Sequence, residues 1–145
     1  MDRVILPNDV LLNEVAQLLG EGREVVMATK GRSMLPFIRG EVDQVKLRQP
    51  DSLGVGDIVL AYFENRYVLH RIIAIHGDEI TLMGDGLLEG TERGNRSDVA
   101  GKVVEIITPD HRQHKPGKAW LWRHTLFLRK YLLKVYRKWN KLKNR

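Results

Sequence analysis

The sequence predicts a mainly β domain, a small bent antiparallel sheet or partial barrel, with a helix at either end. Three observations lead there. From position 42 to 107, short apolar runs alternate with Gly-, Pro-, Asp- and Asn-containing breaks at the spacing of a compact β fold. Before this region, apolar residues recur at helical spacing. After it, a second helical stripe runs through a stretch crowded with lysine and arginine.

The first helix is expected over about 8–19. Asn8 suits its N-cap, Val10, Leu11, Leu12, Val15, Leu18 and Leu19 form its apolar face, and Gly20 closes it. Residues 24–28, Glu-Val-Val-Met-Ala, read as a buried strand that Lys30-Gly31-Arg32-Ser33 interrupts. Val45-Lys46-Leu47-Arg48 alternates and stops at Pro50-Asp51-Ser52. Gly54-Val55-Gly56-Asp57 leads into a strand over 58–63, and Glu64-Asn65-Arg66 turns it back into 67–76. Gly77-Asp78 is a two-residue hairpin turn into 79–83. Residues 84–97 are expected to form a long loop before a last strand, 101–107. The domain should thus span 1–108, with a polar linker over 109–117 and a basic helix over 118–145.

Composition removes several chemistries. There is no cysteine, which excludes disulfides, thiol catalysis and cysteine-ligated metal. The five histidines match no usual zinc spacing, and no cofactor or metal is expected. No secretory signal or membrane-spanning run is found, so a cytoplasmic location is expected. The net charge of +6 conceals an asymmetry: residues 111–145 hold 12 of the 24 Lys and Arg and none of the 18 acids.

Two residues carry the candidate chemistry. A serine hydroxyl needs a base to take its proton and donors to hold the oxyanion its attack creates. Gly31 lets the backbone turn sharply and expose Ser33, whose own N–H can serve as a donor, while Pro36 stiffens the exit. Gly31, Arg32 and Met34 are therefore the expected substrate and oxyanion positions. His70 lies in a β-like run, on one face with Val68, Ile72 and Ala74, where partial desolvation suits a proton acceptor. Singly, each is more often a turn serine or a hydrogen-bonded strand histidine. A carboxylate could orient the imidazole. Asp85 is the first candidate, at the end of the strand paired with that of His70, and Glu89, Glu92 and Asp98 are others.

In order along the chain, these pieces resemble one group of serine peptidases, the type I signal peptidases and the self-cleaving LexA/UmuD-type repressors. Gly31-x-Ser33-Met34 resembles the nucleophile turn of the repressors, and Ser33-Met34-x-Pro36 that of the signal peptidases. Gly56-Asp57-Ile58-Val59 is similar to the strand start of both. His70-Arg71 stands where the group places its base, histidine in the endoplasmic-reticulum and archaeal branch. Gly84-Asp85 and Asp98-Val99-Ala100-Gly101-Lys102-Val103-Val104 resemble the closing boxes. The resemblance covers roughly 25–107 and implies a serine endopeptidase with a Ser33 acyl-enzyme and His70 as general base. An inactive peptide-binding module of the same fold is the alternative. Gly31 lacks the hydroxyl that assists the oxyanion in bacterial signal peptidases, and neither their membrane anchor nor the repressors' helix-turn-helix is found.

Two partners are expected. The first is a peptide or protein substrate, adding as a strand to the edge of 24–28. The second belongs to the basic helix, whose stripe Leu121, Leu128, Leu132, Val135, Trp139 and Leu142 suits peripheral contact with a membrane surface. Docking on the domain or a partner protein is the other reading. Nucleic acid ranks last, because no binding motif accompanies the charge.

Overall fold

The computed structural model describes residues 2–4, 9–119 and 126–143. Among these, nine strands form one sheet: β1 (Asp2–Val4), β2 (Val25–Ala28), β3 (Gln44–Arg48), β4 (Ile58–Phe63), β5 (Arg66–His76), β6 (Glu79–Met83), β7 (Glu92–Asn95), β8 (Val99–Ile107) and β9 (Gln113–His114). Their order is β1-β2-β3-β8-β4-β5-β6-β7, with β9 added to β8. Two helices complete it, α1 (Asp9–Gly20) and α2 (Leu126–Lys143). The mainly β fold with terminal helices is as expected.

Local chemistry accounts for the joints. The β4–β5 hairpin turns at Glu64-Asn65, with positive φ at both, so Arg66 belongs to the strand rather than the loop. The β5–β6 hairpin turns at Gly77-Asp78, as its sequence requires. Helix α1 ends where Gly22, at φ +84°, lets its own N–H and that of Arg23 satisfy the Leu19 and Leu18 carbonyls. Asn8, its expected cap, lies outside the described residues.

Two cores sit against this sheet. One joins Val15 and Leu19 of α1 to Val25, Leu47, Leu60 and Ile106, and takes in Met34 and Ile38 from the loop after β2. The other gathers Val59, Phe63, Val68, Ile72, Ile80 and Leu82. Complete burial of such side chains stabilises the fold by about 1.5–3 kcal/mol each. Leu19 reaches close to Gly101, where any side chain would collide with it. A register shift between Ile72 and Ala74 resets the alternation of β5, so Ile75 rather than Ala74 joins Val68 and Ile72.

Three expectations need correction. The edge of β2 is occupied: β1 pairs with it in parallel, Asp2 opposite Val25 and Val4 opposite Met27. The stretch 84–97 contains β7, paired antiparallel with β6 and followed by a short 3₁₀ turn, Arg96–Asp98. The linker carries β9, and its Gly117 carbonyl accepts a hydrogen bond from Arg71.

Candidate active site

The Ser33 loop is a closed Ω-like excursion between β2 and β3. Its ends are fastened by Thr29, whose hydroxyl donates to the Asp43 carbonyl at 2.8 Å, and by Asp43, which is buried. The Asp43 carboxylate accepts from the Arg39 backbone N–H and from Nε and Nη2 of its guanidinium, at 2.8–3.1 Å. This charge-assisted pairing raises the Arg39 pKa above its usual range. Gly40 then packs so closely on Gly31 that a Cβ on Gly40 would collide with the Gly31 backbone. Gly31 itself holds φ +82°, the sharp turn expected before the serine. Its N–H points at the Glu41 carboxylate, 3.3 Å away.

A second loop supports the serine from below. Ser33 accepts the Gly86 N–H on its carbonyl at 2.8 Å. A methyl on Gly84 would collide with that Ser33 carbonyl, and one on Gly86 with the Arg32 carbonyl. The pair of glycines is therefore a shelf for the backbone of the turn. The same hypothetical Gly84 carbon would stand 3.1 Å from His70 Nε2. Gly84 thus brings the Ser33 backbone and the His70 ring to one spot. Both residues also line a common cavity of about 230 Å³, with Met27, Thr29, Met34 and Tyr67 on its walls.

His70 comes from the middle of β5, opposite Val59 of β4. Its Nδ1 lies 2.6 Å from Glu92 Oε1, and the two residues are only 6% and 4% exposed. A carboxylate can only accept, so it selects the Nδ1–H tautomer and leaves the lone pair on Nε2, the nitrogen on the Ser33 side. Glu92 comes to His70 from β7, where it pairs with Leu82 of β6. Arg66, also on β5, donates to the other Glu92 oxygen at 3.2 Å from a largely exposed position.

Asp85 stands elsewhere. Its two oxygens accept Nε and Nη2 of Arg71 at 2.7–3.1 Å, and both side chains are buried. Arg71 Nη1 donates further to the Gly56 and Gly117 carbonyls, and the guanidinium lies over the Phe37 ring at 5.2 Å. The reason is alternation: Arg71 and His70 are consecutive in a strand and face opposite ways. Asp85 follows Arg71, and Glu92 takes the place beside His70 for which Asp85 was the first choice. Glu89 is exposed, and Asp98 accepts from the Asn95 N–H at 3.4 Å.

The flanking positions divide. Gly31 and Met34 line the Ser33–His70 cavity, Met34 as a buried residue whose sulfur accepts the Asp85 N–H. Arg32 turns the other way, into a groove shared with Tyr136, Arg137, Asn140 and Lys141 of α2. Thr29, Asp43 and Arg66 were not singled out from sequence. A lone threonine or arginine at a strand end carries no pattern, and the Arg39–Asp43 spacing is that of any helical ion pair. The sequence matches no protein-family model and no curated protein.

Proposed function

We propose that this chain is a serine endopeptidase working through Ser33, His70 and Glu92. The observation that carries the reading is the convergence of Ser33 and a carboxylate-held His70 on one cavity. Ser33 Oγ attacks the substrate carbonyl carbon as its proton passes to His70 Nε2. The Ser33 N–H donates to the oxyanion, and the Glu92 carboxylate stabilises the imidazolium that forms. His70 then gives the proton to the leaving amine, the C–N bond breaks, and a Ser33 ester remains. Water, deprotonated by His70, hydrolyses that ester and restores the serine. The substrate strand cannot add along Val25–Met27, which β1 holds. Ala28 and Lys30, which line the cavity beyond the last β1 pair, offer the backbone for it, whereas the Thr29 N–H and carbonyl are already bonded to Asp43 and Glu41.

The test uses a peptide library digested by the full chain and read by mass spectrometry. Cleavage should vanish in Ser33→Ala and in His70→Ala, with the circular dichroism of both unchanged. Cleavage that persists in Ser33→Ala would falsify the mechanism. Binding of peptides without cleavage by the natural chain would establish a binding module instead.

A further inference from the structure

Helix α2 divides into three faces. Leu133, 2% exposed, and Tyr136, half-buried, turn to the domain, where Tyr136 and Asn140 meet Arg32 and Leu35 beside the serine turn. This is not the apolar stripe that the sequence shows. At 100° per residue, the marked residues Leu132, Val135, Trp139 and Leu142 fall on a neighbouring face and are 40–65% exposed. Lys134, Arg137, Lys138 and Lys141 fill the remaining arc. The helix is therefore anchored by one apolar edge while a second, larger one is open to solvent beside a row of cations.

We propose that this open face docks on an anionic lipid bilayer, with the stripe sunk among the headgroups and the lysines at the phosphates. Three observations choose that occupant. Residues 111–145 carry 12 basic and no acidic groups, so the complementary surface is negative. The exposed side chains include Trp139 and Tyr131, amphipathic rings that favour the interfacial layer. Among the described residues no helix is long and apolar enough to cross a membrane, so an in-plane arrangement is the one open to α2. A second copy would bring the same cations against each other, and duplex nucleic acid offers nothing to cover the apolar stripe. Because the anchored edge abuts Arg32 and Leu35, docking would hold the Ser33 loop close to the lipid surface.

Vesicle co-sedimentation of the full chain tests this. Phosphatidylcholine vesicles containing phosphatidylglycerol should pull the chain down, and pure phosphatidylcholine at least tenfold less well. Leu132→Ser/Val135→Ser/Trp139→Ser, all at exposed positions, should lower the partition coefficient on anionic vesicles by tenfold or more. Lys134→Gln/Lys138→Gln should lower it severalfold and flatten its salt dependence. Ser33→Ala should bind as the natural chain does, which separates this proposal from the peptidase reading. Equal binding by the triple serine variant and the natural chain would overturn it. So would a concentration-dependent dimer, seen by analytical ultracentrifugation, that the triple variant disperses, or tight binding to duplex DNA with no binding to vesicles.

Discussion

His70 Nδ1 is 2.6 Å from Glu92 Oε1, a contact between buried side chains 22 residues apart. It fixes which imidazole nitrogen carries the hydrogen and which faces the serine. Glu92→Gln keeps the size but can present a donor to Nδ1, and so permits the wrong tautomer. Cleavage should fall by roughly 10²-fold or more, in the range general-base catalysis contributes. The natural chain should show His70 as the Nδ1–H tautomer in ¹⁵N-histidine NMR spectra, and Glu92→Ala should show a mixture. Unchanged spectra in Glu92→Ala would remove the orienting role, whatever the activity.

Asp85 should behave as a structural residue. Asp85→Ala leaves the Arg71 guanidinium buried without its carboxylate, a loss of about 3–5 kcal/mol. Urea denaturation should show the midpoint falling in Asp85→Ala and Arg71→Ala alike, and the double variant should cost much less than the two added. Additive losses would mean that the pair does not act as a unit.

Gly84 offers a sharper probe. Gly84→Ala places a methyl against the Ser33 carbonyl and 3.1 Å from His70 Nε2, so the turn and the ring must part. Overpacking of this kind costs about 1–3 kcal/mol, and cleavage should fall further than stability explains. Gly20→Ala, which meets nothing within 4 Å, is the control and should leave both unchanged.

Leu133 reports on the anchoring of α2. Leu133→Ala removes the most deeply buried described side chain of that helix and should loosen it from the domain. A truncation of this type costs about 2–5 kcal/mol where the site cannot collapse. Limited trypsin digestion should then cut within 126–143 several times faster while the β domain stays intact. No change in cutting would show that other contacts hold the helix.

The strands from 58 to 83 were legible because alternation, β-branched side chains and turn residues agree there. The motifs around Ser33 and His70 likewise pointed to two residues that line one cavity. Glu92 ranked below Asp85 because Glu-Arg-Gly-Asn has no apolar pattern, and only pairing with β6 makes it a strand. Position in sequence favoured Asp85, whereas strand parity assigns it to Arg71. The three faces of α2 escaped for a different reason. A helical stripe identifies what is apolar, and the domain surface decides which edge is covered. β1 was invisible because three residues hold too little periodicity to be read.

Consecutive residues give β5 two separate duties. On one side His70 holds Glu92 and lines the Ser33 cavity; on the other, Arg71 fastens Gly56, the Asp85 loop and Gly117. The strand is in this sense a shared wall: the residue that fixes the Gly117 carbonyl stands one peptide unit from the one that lines the Ser33 cavity.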